Sequence, residues 1–185
     1  EELTAAARAL NQRLNGIGVG ICELVSLDGN VVSENCVAWK GLPVREQLSK
    51  LAPTVIEADV RAAALAEARF GAGKPFKQFL YVTVGTGISC ALVLDGRPYA
   101  GARGATGTMA SSPLPTLSAG EANTSAPTLE DIASGPGLVA RFNRRSARAA
   151  GTGEEVLAAA NSGDRDAIEV IRNAGEVLGS SVGWL

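Results

Sequence analysis

The sequence predicts a mixed α/β protein, and three observations carry that expectation. Strand-like runs at residues 17–21, 54–56, 80–84 and 88–94 are interleaved with segments whose apolar residues recur at helical spacing. Aromatic residues make up only 4% of the chain, so the core has to be built from Ala, Val, Leu and Ile. Glycine is frequent, 22 of 185 residues, which implies many tight turns and close backbone approaches. At this length, with 46% hydrophobic residues, the chain can form one large domain or two small ones.

The elements follow in order. Residues 1–15, with Leu3, Ala6, Ala7, Leu10 and Leu14 on one face, read as an amphipathic helix leading into a strand at 16–25. Asp28-Gly29-Asn30 is a turn sequence before Val31-Val32, so a β-hairpin or meander is expected. Pro43, at a first helical position, opens a short helix carrying Val44, Leu48 and Leu51. After strand 54–56, Asp59 stands where the chain passes into the alanine-rich helix 62–70, which the cluster 70–75 then breaks.

Two apolar strands flank Gly85-Thr86-Gly87, and Asp95-Gly96 closes the second of them. Residues 101–127, rich in Gly, Ala, Ser, Thr and Pro, read as a long irregular loop. Helices are then expected at 129–133 and 138–149, separated by Ser134-Gly135-Pro136. A capping box of Thr152 and Glu155 starts the next, and Asp164 caps the last. With no strand before the first element and no cap after the last, the chain reads as an internal part of a longer protein.

Composition narrows the chemistry. A net charge of −2 gives no global reason to bind nucleic acid or an anionic membrane. No apolar run reaches the roughly 20 residues needed to span a bilayer, and no signal-peptide pattern is present, so a cytoplasmic protein is expected. Cys22, Cys36 and Cys90, odd in number and widely spaced, read as reduced thiols. The chain has no histidine, which removes Ser-His-Asp and Cys-His catalysis and leaves carboxylates as the proton-transfer groups.

Two motifs stand out, each with a simpler account. Gly85-Thr86-Gly87 could offer backbone N–H groups and the Thr86 hydroxyl to phosphate oxygens; it could equally be a hairpin turn using glycine for its dihedrals. Asp59 could cap a helix or serve as a general base, since a helix N-terminus favours the ionised carboxylate a base requires. Arg141, Arg144, Arg145 and Arg148 share one helical face and read as a solvated surface.

Three segments in this order resemble the ROK family of bacterial sugar kinases and related repressors. They are residues 16–25 with Trp39-Lys40-Gly41-Leu42-Pro43-Val44-Arg45-Glu46; Asp59 through Gly73, with Ala62-Ala63-Ala64-Leu65-Ala66-Glu67-Ala68-Arg69-Phe70-Gly71-Ala72-Gly73; and Tyr81-Val82-Thr83-Val84-Gly85-Thr86-Gly87-Ile88 with Leu94-Asp95-Gly96-Arg97. The resemblance implies an actin-like ATPase (RNase H-like) fold of two α/β lobes, incomplete at both ends of this chain. Residues 1–73 would belong to the N-terminal lobe and 74–185 to the C-terminal lobe, with ATP and sugar bound between them. It implies an ATP- and Mg²⁺-dependent kinase acting on a hydroxyl of a hexose or related sugar or cyclitol. Asp59 would be catalytic base and sugar contact, Gly85, Thr86 and Gly87 the phosphate-binding turn, and Glu130 a second sugar-binding carboxylate.

The sequence also departs from the family pattern. Ala58 and Arg61 replace asparagines common on either side of the catalytic aspartate, and Ala105 and Thr108 stand where a sugar-binding Glu and His are usual. Ser89 and Ala91 replace glycines common after the phosphate turn. Glu121, Asn123 and Thr128 occupy the place of the cysteine-rich zinc knuckle, so no structural zinc is expected. The alternative implied by the same resemblance is a transcriptional repressor or non-catalytic sugar sensor, which would bind nucleic acid through an upstream helix-turn-helix. Family members of either kind are often homodimers.

Overall fold

The computed structural model describes residues 2–9, 14–107, 109–111, 114 and 126–183. By compactness the chain divides into two units: Glu1–Tyr81 with Ala91–Thr106, and Val82–Cys90 with Gly107–Leu185.

The first unit holds α1 (Glu2–Ala9), β1 (Ile17–Ile21), α2 (Val44–Ser49), β2 (Thr54–Ala58) and α3 (Asp59–Phe70). β1 and β2 pair in parallel from Ile17↔Thr54 to Ile21↔Ala58. A parallel pair needs a crossover rather than a tight turn, and the connection through α2 supplies it. Burial along β2 alternates, with Val55 exposed and Ile56 buried, so one face packs on a core of Ile21, Val25, Val31, Ile56 and Ala58.

The strand expected at 16–25 ends at Ile21. Beyond it, Leu24 N–H donates to Ser33 Oγ at 2.7 Å, and the Glu23 side chain is committed to the 33–37 segment, which turns the chain away from the β1–β2 ladder. The expected hairpin is accordingly reduced to a single antiparallel bridge, Val25↔Val31, across a turn with Gly29 at its end. Pro43 is the residue before α2 rather than its first residue.

The β3 (Gln78–Val84), β4 (Ile88–Leu94) and β5 (Arg97–Pro98) strands form one three-stranded sheet in that order. The expected turn at Asp95-Gly96 joins β4 to β5, both residues having positive φ as a two-residue hairpin loop requires. In the first unit, Val93 and Ala91 of β4 pack with Ala64 of α3, against Phe79 and Tyr81.

Arg61 is a buried cation of this unit, 4% exposed on the first turns of α3. Its guanidinium donates from Nη1 to the Gly104 carbonyl at 2.6 Å, from Nη2 to the Val25 carbonyl at 2.7 Å, and from Nε to Glu57 Oε1 at 2.7 Å. One side chain thus fastens two loops and the end of β2 together. Gly104 is glycine by necessity: its φ is +77°, and a Cβ would lie 2.1 Å from the Val25 carbonyl oxygen.

The second unit is mainly helical: a 3-10 turn (Met109–Ser111), α4 (Leu129–Ala133), α5 (Gly135–Arg145), α6 (Gly153–Asn161) and α7 (Arg165–Gly183). Ile88, Leu129, Ala133, Leu138, Val170 and Ala174 form one buried cluster, and Phe142, Ala150, Val156 and Ala167 another. The helix starts follow local chemistry. Thr128 and Asp131 form a reciprocal capping box on α4, and Asp164 Oδ1 accepts from the Asp166 and Ala167 N–H groups at the start of α7.

Three expectations are corrected here. The break between α4 and α5 is Ser134 alone, whose hydroxyl caps Gly137 N–H, so α5 begins at Gly135 and ends at Arg145 rather than Ala149. The Thr152–Glu155 box is half formed: Thr152 Oγ1 accepts from Glu155 N–H, but the Glu155 carboxylate takes Gly151 N–H instead. The arginines are not one solvated face. Arg141 donates to the Ile132 carbonyl and Asn173, Arg145 pairs with Glu169 at 2.6 Å, and Arg148 lies beyond the helix.

Arg61→Met should destabilise the protein by about 2–4 kcal/mol, because the Val25 and Gly104 carbonyls lose their donor, while the Glu57 carboxylate, 39% exposed, can turn to water. Urea denaturation of both proteins measures this. Arg61→Lys should recover only part of the loss, since one ammonium cannot reproduce the guanidinium fork.

Candidate functional site

Each unit carries one set of the residues singled out in the sequence. In the first, Asp59 is the first residue of α3, directly after β2, and it is exposed. It is not the N-cap: Ala58 holds that position and makes no side-chain cap. Asp59 Oδ1 instead accepts the adjacent Val60 N–H at 2.7 Å. A Cβ on Gly20 would sit 3.6 Å from Asp59 Cα and 3.7 Å from its Cβ, ordinary contact distances, so Gly20 lies directly beside the aspartate and leaves space there without the fold requiring it. The carboxylate therefore stands at the C-terminal edge of a parallel strand pair, where open α/β sheets bind ligands.

Of the departures beside Asp59, Ala58 is buried at the end of β2, and Arg61 is consumed by the carbonyls of Val25 and Gly104. Arg61 is thus a structural residue rather than a ligand contact. Ala105 is exposed, while Thr108 lies outside the described residues.

Sequence reasoning missed Glu23, which organises the same edge. It is 4% exposed, and its carboxylate accepts N–H groups of Asn35 and Val37 at 2.9 Å each, together with Cys36 N–H and the Ser33 hydroxyl. Burial by itself raises such a carboxyl; the Asn35 N–H, the Ser33 hydroxyl and the N–H groups of Cys36 and Val37 outweigh it and hold Glu23 down at about 2. The available signal was a lone carboxylate inside the apolar run Ile21-Cys22-Glu23-Leu24-Val25.

In the second unit, Gly85-Thr86-Gly87 is the exposed turn between β3 and β4. Its glycines are not explained by dihedrals, since neither has the positive φ that favours glycine. Gly87 is explained by space, because a Cβ there would lie 2.7 Å from Glu130 Oε1. At Gly85 a Cβ would meet nothing within 4 Å, so the fold makes no demand for glycine there and the open side of the backbone is available for close approach.

The turn is fastened to the α4–α5 junction. Glu130 Oε1 accepts Ile88 N–H at 2.9 Å, and Gly135 N–H donates to the Gly85 carbonyl at 2.8 Å. Glu130, expected as a ligand contact, is thereby joined to the glycine turn. It also borders an open cleft of about 550 Å³ along α4 and α5, with Pro127, Asp131, Ser134, Pro136 and Arg144 among its lining. Asp131, exposed there, is held below the usual carboxylate range by the N–H and hydroxyl of Thr128.

Glu121 and Asn123, at the expected zinc-knuckle position, lie outside the described residues; Thr128 serves as the α4 cap. Among the described residues, no three His, Cys, Asp or Glu gather closely enough to hold a metal ion, and no helix is long and apolar enough to cross a membrane.

A parallel strand pair that ends in a carboxylate, a three-stranded sheet with an open glycine turn and a set of packed helices define a mixed α/β protein. A model of the ROK family matches residues 1–185, and the chain belongs to that family. The ROK hexokinase of Thermus thermophilus has the same fold, with a TM-score of 0.74 at 28% identity over 97% of this chain and 60% of that one. The fold is therefore the actin-like ATPase class.

Among relatives, a glucokinase of Halalkalibacterium halodurans is 31% identical over 118 residues, 56% of this chain and 36% of its own. A xylose repressor of Bacillus subtilis is 30% identical over 97 residues, 50% of this chain and 25% of its own. The chain thus matches only about a quarter to a third of these relatives' length, and they include both kinases and repressors.

Glu23 generates a pH prediction. Its carboxyl is depressed in the folded state relative to the unfolded chain, near 4.3, so its contribution is complete above that value and is lost as pH falls towards about 2. Denaturation midpoints of wild type and Glu23→Gln, taken from neutral pH down to pH 3, should differ most at neutral pH and converge on acidification.

Proposed function

We propose that the protein containing this chain is an ATP-dependent sugar kinase that transfers the γ-phosphoryl group to a hydroxyl of a hexose or related sugar or cyclitol. The observation that carries this reading is the placement of Asp59, an exposed carboxylate at the C-terminal end of β2 with Gly20 leaving room beside it. Membership in a family whose relatives include a glucokinase supports it.

Asp59 acts as the general base, taking the proton of the attacking hydroxyl as the oxygen–phosphorus bond forms. Gly85, Thr86 and Gly87 form the phosphate-binding turn: the N–H groups of Thr86 and Gly87 and the Thr86 hydroxyl receive phosphate oxygens, while Gly85, whose N–H donates to the Gly87 carbonyl at 2.9 Å, leaves its open side for their approach. Glu130 contributes a carboxylate toward the sugar. With no cluster of metal ligands among the described residues, Mg²⁺ is expected to arrive on the nucleotide, held mainly by phosphate oxygens and water, and to neutralise charge on the transferring group. In this reading residues 1–73 belong to the N-terminal lobe, residues 74–185 to the C-terminal lobe, and the protein works as a cytoplasmic homodimer.

One observation favours a second reading, that of a sugar-binding repressor or sensor. Ala58 and Arg61 are both withdrawn from the Asp59 edge, one buried and one tied to backbone carbonyls, so the acceptor has fewer polar contacts there. The two readings part on turnover.

In the full-length protein assayed with Mg-ATP across a carbohydrate panel, Asp59→Asn should lower ADP release by about 10²–10⁴-fold, the usual worth of a general base. Unchanged turnover in that variant removes Asp59 from catalysis. Sugar binding by calorimetry with no turnover by the wild type would select the sensor.

Gly85→Ala gives an independent check. The new methyl meets no protein atom, so stability should stay within about 0.5 kcal/mol, while the KM for ATP should rise roughly tenfold, the equivalent of about 1.4 kcal/mol.

A further inference from the structure

The thiols of Cys22 and Cys36 meet at the same edge as Asp59, and the reading above makes no use of them. Two features bring them together. The register that pairs Ile21 with Ala58 puts Cys22 at the next position, beside Asp59. The Glu23 carboxylate, by accepting the N–H groups of Cys36 and Val37, folds residue 36 back onto the end of β1. There the Cys36 thiol lies close enough to that of Cys22 for the two to influence each other, and both cysteines are exposed. Cys90, by contrast, is buried.

We propose that Cys22 and Cys36 form a reversible dithiol–disulfide pair, a modification site at the mouth of β1 that reacts with hydroperoxides. Cys22 sulfur attacks the hydroperoxide oxygen; the O–O bond breaks, an alcohol (water from hydrogen peroxide) leaves, and Cys22 becomes a sulfenic acid. Cys36 sulfur then attacks the Cys22 sulfur, the S–S bond forms, the S–O bond breaks, and water departs with the Cys36 proton. Two thiols and one hydroperoxide give one disulfide, one alcohol and one water, and the protein loses two hydrogens. The neighbouring Cys22 thiol, then burial, then the carboxylates of Glu23 and Asp59 raise the Cys36 thiol; with Cys36 attacking first the same bonds would form and break, so the balance does not depend on the order. Closing the disulfide would fix the 33–37 segment where Glu23 already holds it.

The test uses the full-length protein, native and reduced, treated with hydrogen peroxide in modest excess, quenched with a thiol-alkylating reagent and then denatured. Free thiols from this chain should fall from three to one, Cys90 remaining. Proteolysis after Glu23 and Glu34 should leave the peptides holding Cys22 and Cys36 joined, lighter by two hydrogens, and dithiothreitol should restore all three thiols. Joined peptides should also form in Asp59→Asn, so the pair stands or falls separately from the kinase reading. Persistence of all three thiols, or linkage only between molecules, overturns the proposal. So does stable over-oxidation of Cys22 with Cys36 left free.

Discussion

The parallel pairing of β1 with β2 is the constraint on which the first unit's chemistry depends. Because Ile21 lies opposite Ala58, the residues immediately after each strand, Cys22 and Asp59, are delivered to one edge. Parallel strands end on the same side, so a crossover between them converts sequence separation into adjacency at the strand ends. Gly20 lies directly beside Asp59, where an added Cβ would make only ordinary contact. The aspartate needs no cap of its own to be placed; the strand hands it over already positioned at the head of α3.

Around that edge, loops are held by buried charges as well as by the apolar packing of Val25 and Val31. Glu23 gathers N–H groups from the 33–37 segment, and Arg61 gathers carbonyls from Val25 and Gly104. Irregular backbone cannot satisfy its own polar groups through a ladder, and a buried ion with several donors or acceptors does so at several points at once. The two ions are complementary: an anion collects donors and a cation collects acceptors. Among the described residues, no buried side-chain nitrogen or oxygen lacks a hydrogen-bond partner.

Much of this was legible in the sequence where the cause is local. The turn at Asp95-Gly96, the cap at Asp164, and the helix after Asp59 all arise from residues within a few positions of one another. Expectations failed where a distant partner intervened. The strand beyond Ile21 was diverted by Ser33 and the 33–37 segment, nine or more residues on. Arg61 could be marked as a departure from the family pattern, but its partners stand 36 and 43 residues away, beyond any periodicity argument. For the glycine turn, sequence left two accounts open, and the backbone angles removed the one based on dihedrals.

The attachment of Glu130 to the turn has a thermodynamic corollary. A carboxylate that accepts Ile88 N–H is part of the scaffold of Gly85-Thr86-Gly87, so any ligand hydroxyl that draws on Glu130 perturbs the same hydrogen bond that shapes the turn. Linkage is reciprocal: if the turn holds phosphate and Glu130 holds a sugar, as proposed, each ligand would alter the affinity for the other in equal measure, through one carboxylate–amide contact.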